Sequence, residues 1–399
     1  MTAKSIHPFP ARMAPELALA NLSNLPAQQV VLDPMAGSGT VLRQASSLGH
    51  QALGFDMDPL AVLMSRVWTT AVDDAAIGTL LDDVIADTKR TGPVRLAWMD
   101  DDAETTKFAE YWFGETQRQA LRRLAATLDR YAADARTPDE KACVEVLKLA
   151  LSRIIITKDK GASLARDVSH SRPHKVMETN NYDVDDGYQR AVRTIRKRLS
   201  DEPPAIGAAA VTLGDARRLD SMKDGSVDLA LTSPPYLNAI DYMRGHRLSL
   251  IWLGYRLKDL RAIRSNSIGS ERSADTAGEL EEYETMRNAM GDIGLLPSRF
   301  AGMINRYVQD LYAMIRELAR LIKIGGRATL VVGNSCLRGV FVKNAGAVEA
   351  GAGLLGLKLE SAVERDLPQQ SRYLPITGEG ALGKRMRTEA ILSFTKQAA

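Results

Sequence analysis

Four short stretches of this 399-residue sequence carry side chains able to do chemistry together. They are DPMAGSGT at 33–40, FDMDP at 55–59, GDAR at 214–217 and TSPPY at 232–236. In the first, small residues at 36–39 let the backbone turn tightly and approach a ligand. The helix start that follows offers unpaired N–H groups to a carboxylate or a phosphate. No Gly-Lys-Ser/Thr follows, so it is not a Walker A loop, and the spacing is not GxGxxG. Gly-x-Gly alone is a weak signal, and a tight strand-to-helix turn without a ligand is its plain alternative. In the last stretch an apolar run meets two prolines, Pro234 and Pro235. Proline fixes its own φ and restricts the residue before it. The plain reading of TSPPY is a strand stop; the chemical one is a rigid loop presenting Ser233 and Tyr236.

These residues need a parallel sheet to bring them together. Residues 29–68 read as strand, glycine turn, helix and second strand, the start of a parallel α/β sheet. Asp33 ends the first strand and Asp56 the second; Asp215 ends a third, within VTLGDARRL. An acidic side chain at the second strand end can accept from both hydroxyls of a ribose. Three carboxylates at three strand ends suit a ligand with a ribose, an amino-bearing base and an ammonium group. S-adenosylmethionine fits that description better than ATP, because no phosphate needs neutralising.

Residues 71–204 interrupt this pattern with helical periodicity, as in FAEYWFGETQRQALRRLAATLDRYAADA and CVEVLKLALSRIIIT. Strand VDLALTS follows at 227–233, and AIDYMRGHRLSLIWLG reads as a helix. Residues 258–298 are polar with few regular patterns. From 300 a long amphipathic helix is expected, closed by Gly325 and Gly326, then strand RATLVVGNS. LKLESAVERDL and TEAILSFTK read as a final strand pair around a loop with Gly378, Gly380 and Gly383. One α/β domain, residues 1–70 and 205–399, is thus expected to be split by a helical insertion at 71–204.

Composition sets the class. Hydrophobic content of 45% and charged content of 25% are those of a globular protein. No apolar run is long enough for a membrane span, and MTAKSIHPFP lacks the apolar core of a signal peptide. Cys143 and Cys336 match no CxxC or metal spacing, which points to a reduced cytoplasmic compartment. The net charge of +3 permits a nucleic-acid partner without demanding one.

With these stretches in this order, the sequence resembles the DNA amino-methyltransferases, which use S-adenosylmethionine to methylate N4 of cytosine or N6 of adenine. DPMAGSGT looks like their cofactor loop, FDMDP their ribose-binding strand end, GDAR the strand end that meets the adenine, and TSPPY their catalytic loop. HPFPARMAP at 7–15 is similar to the segment that closes over the methionine end of the cofactor. The likeness covers roughly residues 5–68 and 208–254. It implies a class I methyltransferase Rossmann-like fold: a mostly parallel seven-stranded sheet with a reversed last strand, here with a large helical insertion. Implied cofactor-binding residues are His7, Phe9, Pro10, Asp33, Pro34, Ala36, Gly37, Ser38, Gly39, Thr40, Asp56, Met57, Asp215 and Ala216. Implied catalytic residues are Ser233, Pro234, Pro235 and Tyr236. Serine in the first position resembles the N4-cytosine branch, whereas Asp or Asn would suit N6-adenine. About 140 residues separate the second and third strands, and in the N4-cytosine branch the opposite order of loops is more usual.

The chemistry suits the loop. An exocyclic amine is a poor nucleophile, because its lone pair is delocalised into the ring. The Ser233 hydroxyl and the Pro234 carbonyl can accept its two N–H bonds and draw it towards tetrahedral geometry. Tyr236 can stack on a base pulled out of the duplex. In-line transfer then needs orientation more than acid–base catalysis. The C5-cytosine enzymes need a cysteine nucleophile, usually after proline. Cys143 follows Ala142 and Cys336 follows Ser335, so both are read as packing residues.

DNA contacts are expected where cations gather. Residues 151–200 hold eleven Lys/Arg against six Asp/Glu. Arg153, Lys158, Lys160, Arg166, Ser169, His170, Ser171, Arg172, His174 and Lys175 lie there, and such side chains reach phosphates and bases. The plain alternative is a solvated surface. His170 and His174 lack a third ligand, so no metal is expected. Arg244, His246 and Arg247, just after SPPY, are candidates for phosphates flanking a flipped base. Arg261, Arg264, Asn266 and Arg272 form a rival recognition stretch; Arg372 and KRMR at 384–387 are further basic candidates.

The resulting expectation is a site-specific methyltransferase of double-stranded DNA, N4 of cytosine preferred, with S-adenosylmethionine as cofactor. A restriction–modification role and a cognate restriction endonuclease as partner come from the resemblance alone. N6-adenine methylation, RNA base methylation and an inactive DNA-binding module are the alternatives.

Overall fold

The computed structural model describes residues 6–8, 13–157, 160–166, 173–205, 209–237, 241–270, 280–366 and 388–398. The chain begins α1 (Pro15–Leu22), β1 (Val30–Asp33), α2 (Thr40–Ser47), β2 (Gln51–Asp56), α3 (Pro59–Thr69). A helical run follows: α4 (Asp74–Arg90), α5 (Ala97–Asp100), α6 (Ala103–Trp112), α7 (Glu115–Asp134) and α8 (Pro138–Ile155). A small ribbon, β3 (Ala165–Arg166) and β4 (His174–Lys175), leads to α9 (Val184–Asp201). The sheet resumes with β5 (Ala209–Leu213) and β6 (Val227–Thr232). Then come α10 (Met243–Leu250), α11 (Leu257–Asn266), α12 (Glu281–Asn288), α13 (Ala301–Leu321) and β7 (Ile322–Gly333). A second ribbon, β8 (Ser335–Leu337) and β9 (Val340–Val342), precedes α14 (Asn344–Leu354), β10 (Leu357–Asp366) and β11 (Thr388–Lys396).

Seven strands form the main sheet in the order β10-β11-β7-β6-β1-β2-β5. Pairings among β7, β6, β1, β2 and β5 are parallel, while β11 runs antiparallel to both β7 and β10. The last strand is therefore reversed, and the class I methyltransferase fold expected from the resemblance is the fold observed.

Strand side chains alternate between faces, and the cores follow. Val31, Leu229 and Leu231 pack with α1 and α2 through Leu22, Val41 and Leu42. Leu32 and Ala230 point the other way, into a core built on α13 and α14. Helix α3 is apolar on nearly every side, as expected of a helix buried all round. Val62 faces the sheet core, while Leu60, Met64, Val67 and Trp68 join the core of helices α4 to α9. Residues 71–204 thus share their core with α3 and α10.

Three elements differ from expectation. Helix α13 ends at Leu321, and Gly325 and Gly326 lie within β7. Val227 pairs with Ile322 but Leu229 pairs with Arg327, so residues 323–326 bulge out, with Gly325 at φ +76°. Pairing with β6 captures Ile322 and overrides the helical periodicity. Among the described residues of 258–298 are the α-helices α11 and α12, whose apolar anchors Leu260 and Met286 are buried; their polar faces masked them in the sequence. Among the described residues of the helix expected over 239–254, the regular part is α10. Among the described residues, no helix is long and apolar enough to cross a membrane.

Trp252, which follows α10, is 1% exposed and meets Phe113 of the helical run edge-on at 5.0 Å. Its indole N–H is buried without a partner among the described residues. Trp252→Ala is expected to destabilise by about 3–5 kcal/mol in denaturant titration. Trp252→Phe, which removes the unmet donor with much less volume, is expected to lose about 1.5 kcal/mol or less.

Candidate active site

β1 lies between β6 and β2, all three parallel, so Asp33, Asp56 and Thr232 emerge at the same sheet edge. Open α/β sheets bind ligands in the crevice at the carboxyl ends of their strands. Asp33 is 4% exposed. It accepts the Thr232 hydroxyl at 2.7 Å and the Met35 N–H at 3.2 Å. Among the described residues no basic side chain forms an ion pair with it. Burial pushes its carboxyl up to about 7; the Thr232 and Met35 bonds work against the rise, and the nearby Asp56 adds to it.

The glycine turn is tied to β2. Ala36 N–H donates to the Phe55 carbonyl at 2.8 Å, and Gly37 N–H to the Asp56 carboxylate at 2.8 Å. The Ser65 hydroxyl of α3 donates to the Gly37 carbonyl at 2.9 Å. Gly39 has φ +85°, and a Cβ there would sit 2.8 Å from Ser65 Oγ. Both dihedral and space therefore demand glycine. Pro34 opens the turn; Ser38 and Thr40, which close it, are buried with hydroxyls 3.5 Å apart.

Asp56 also accepts the Asp58 N–H at 2.9 Å. Burial, then the charge of Asp58, raises its carboxyl to about 6, against those hydrogen bonds and His246. Asp58 caps α3 through the Leu60 N–H at 2.9 Å and accepts the His246 Nδ1–H from α10. The Tyr242 ring stacks on His246 at 6.3 Å. The helix after SPPY is thereby fastened to the segment after β2. His246 is 5% exposed, which removes it from the set of surface phosphate ligands.

Asp215 lies two residues beyond β5 and is gripped by Arg217, through the backbone N–H at 2.9 Å, Nε at 3.0 Å and Nη2 at 2.7 Å. Arg217 also donates to Asp310 of α13 at 2.5 Å and to the Asn266 carbonyl at 2.7 Å. Burial works against its charge, but Asp215 and Asp310 outweigh it and hold its pKa above the usual range. Met57 Sδ lies 3.9 Å from the same guanidinium, and Ala216 is buried beside it.

Ser233 is exposed, Pro234 buried, and Pro235 and Tyr236 half-buried. The Ser233 hydroxyl donates to the Val331 carbonyl of β7 at 3.0 Å, so its lone pairs are left to accept. The loop is held from behind: the Pro235 carbonyl accepts the buried Tyr307 hydroxyl at 3.2 Å, and the Leu237 carbonyl accepts Ser335 at 2.7 Å. Gly269, at φ +77°, brings the segment after α11 against the Tyr236 carbonyl, 3.2 Å from where a Cβ would stand. Burial raises the Tyr236 phenol above its usual range.

His7 Nδ1–H donates to the Pro8 carbonyl at 2.8 Å, and Nε2 accepts from Ser152 of α8 at 2.9 Å. Arg153 donates to the Ile6 carbonyl and is pushed down to about 10 by burial; it is an internal strut, not a surface cation. Lys160 is exposed; Arg166 and His174 are exposed and pair across the β3–β4 ribbon. Lys175 pairs with Glu178 at 2.7 Å, Arg244 with Asp241 at 2.9 Å, and Arg261 with Glu104. Cys143 is buried, and burial pushes its thiol up; Cys336 is half-buried on β8. Phe9, Pro10, Lys158, Ser169, His170, Ser171, Arg172, Arg272, Arg372, the 384–387 run and the three loop glycines lie outside the described residues. Roles for Thr232, Asp58, Arg217 and Tyr307 were not read from the sequence. The first three sit inside quoted motifs, which was a usable signal; Tyr307 lies in a helix that displays only its amphipathic pattern.

No protein-family model matches the chain. It is similar to the type II methyltransferase M.MvaI of Kocuria varians, with 21% identity over 360 residues, 83% of this chain and 77% of that protein. It is similar to the type II methyltransferase M.BsoBI of Geobacillus stearothermophilus, with 22% identity over 312 residues, 68% of this chain and 55% of that protein. Among solved structures, a SAM-dependent methyltransferase from Methanosarcina mazei aligns over 96% of this chain and 97% of its own, at 8% identity and a TM-score of 0.34.

The Asp33 carboxyl yields a pH signature. Its folded pKa lies above the unfolded value, so the folded chain holds the proton more tightly. Its contribution to stability is full below the unfolded pKa near 4 and is lost as pH rises towards about 7. Asp33→Asn is expected to remove that fall, so its stability relative to wild type rises over this window by up to about 1.4 kcal/mol per pH unit. Parallel pH profiles of urea midpoints for the two proteins would contradict the buried-carboxyl assignment.

Proposed function

We propose that this chain is an S-adenosylmethionine-dependent DNA methyltransferase that acts on the exocyclic N4 of a cytosine drawn out of the duplex. The observation that carries the reading is the Ser233 hydroxyl. Its proton is taken by the Val331 carbonyl, so it faces outward as an acceptor, at the strand end next to the carboxylate and glycine turn of β1. The two prolines hold the neighbouring Pro234 carbonyl as a second acceptor. Together they would take both N–H bonds of the amine and leave its lone pair free for transfer. Tyr236 would support the base by stacking. Serine in the first position supports cytosine N4 over adenine N6 by its likeness to the N4 branch.

The residues present suit the cofactor. Asp33 is a buried carboxylate without a cation among the described residues, a fitting partner for an ammonium group. Asp56, at the end of β2, suits ribose hydroxyls, and Asp215 an adenine amino group. The turn at Gly37 and Gly39 leaves the backbone open to close approach. When bound, S-adenosylmethionine supplies an activated methyl, so the protein has only to orient the amine and exclude competitors. His7 is the proposed residue that closes over the methionine end of the cofactor. Lys160, Arg166, His174 and Lys175 of the 71–204 insertion are the proposed DNA contacts of that region. The type II methyltransferases among the similar proteins support a place in a restriction–modification system.

Incubation with duplex DNA and S-adenosylmethionine, digestion to nucleosides and mass analysis is expected to yield N4-methyldeoxycytidine. N6-methyldeoxyadenosine would overturn the base, and product on RNA alone would overturn the substrate. Ser233→Ala is expected to lower turnover by about 100-fold, the scale of a misplaced reacting group, with cofactor affinity near wild type. Lost cofactor affinity in that variant would contradict the role given to Ser233.

A further inference from the structure

Helix α6 carries two aromatic side chains three residues apart, Phe108 and Tyr111, and each bears a cation from another element. The Arg247 guanidinium of α10 lies over Phe108, 5.0 Å from the ring centre. The Lys175 ammonium of β4 lies over Tyr111 at 5.1 Å. Tyr111 is 55% exposed. A basic and aromatic row therefore runs from the helix after SPPY to the ribbon of the 71–204 region.

Arg247 is under-partnered in this row. Its Nε is buried and has no hydrogen-bond partner, and among the described residues no carboxylate forms an ion pair with it. The nearby carboxylate, Asp241, is shared by Arg244 at 2.9 Å and Arg264 at 2.5 Å. Two guanidiniums thus share one carboxylate, and Arg247 is near enough to feel all three charges, so the four groups carry a local surplus of two positive charges. Burial, and the like charges of Arg264 and Arg244, push Arg247 below its usual range, with Asp241 opposing. A buried donor without an acceptor carries a desolvation cost, and a planar guanidinium is suited to a phosphate. The cluster is also anchored to the sheet. His246, the preceding residue, is bonded to Asp58 after β2, which ties the helix that carries Arg247 to the β2 end of the sheet.

We propose that Arg247, with Arg244 and Arg264, holds a backbone phosphate of the DNA strand beside the base drawn into the SPPY loop, and that the Phe108–Tyr111 row leads that strand towards the β3–β4 ribbon. This rests on the DNA methylation proposed above. An extended row of charge and aromatic faces between two elements suits a polymer backbone better than a single nucleotide.

The test is the salt dependence of duplex binding, measured by fluorescence anisotropy for wild type, Arg247→Met, Arg247→Lys and Arg264→Met. Loss of one phosphate contact lowers the slope of log affinity against log salt by about 1. Arg247→Met is expected to show that loss, and Arg247→Lys, which keeps the charge, to restore it, with cofactor affinity near wild type in both. A purely structural role on Phe108 would leave the slope unchanged, and that result overturns the proposal. If Arg247→Met does not fold, Arg264→Met, at the more open side of the cluster, is expected to lose slope, and an unchanged slope there overturns it equally. Wild type that methylates DNA while the variants keep its slope sinks this inference alone. Wild type that binds no duplex sinks the DNA reading along with it.

Discussion

The parallel pairing of β1 with β6 is the constraint on which the site depends. Val31 faces Leu229 and Leu32 faces Ala230, so the two strands end level with each other. One end turns through glycines and the other stops at prolines. The Thr232 hydroxyl then binds Asp33 across the gap. Residues 199 positions apart in the chain are thereby held within one hydrogen bond, in a place from which water is excluded. A slip of one residue would turn every side chain of β6 to the opposite face, and Thr232 with it.

Burial raises both Asp33, which is buried, and Asp56, which is half-buried. Two such carboxylates near each other add no stability as charged groups, because burial penalises their charge. Asp58 shows the contrast: it caps α3 and receives His246. Arg217 plays the corresponding part for Asp215, and its reach to Asp310 and Asn266 ties α11 and α13 to that strand end. The β2 and β5 ends are thus tied to helices from other parts of the chain, α10 and α13, and the SPPY loop is backed by Tyr307 and Ser335.

Helix α3 explains how a long helical region enters between β2 and β5 without disturbing the sheet. It offers one apolar side to the strands and the others to α4 through α9. The helical region therefore extends the layer that already covers the sheet, and its ribbon and α6 come to lie along the same molecule as α10.

Much of this was legible in the sequence. The glycine turn, the strand-end carboxylates, the SPPY stop and the final strand pair are local patterns, which follow from backbone sterics, from two-residue periodicity and from residues whose φ is restricted or freed. The reversal of the last strand was implied by the family resemblance. The end of α13 was not legible, because Ile322 leaves the helix only when β6 is there to pair with it. Nor were α11 and α12, whose few buried residues are apolar only against a core built elsewhere. The partners of Arg217, His246 and Tyr307 were equally hidden, since each bond spans separate elements. Sequence by itself determined which residues stand at strand ends and which backbone can bend there. Tertiary structure alone decided which of those ends meet and which charges lose their water, because hydrogen-bond partners and desolvation are properties of neighbours in space.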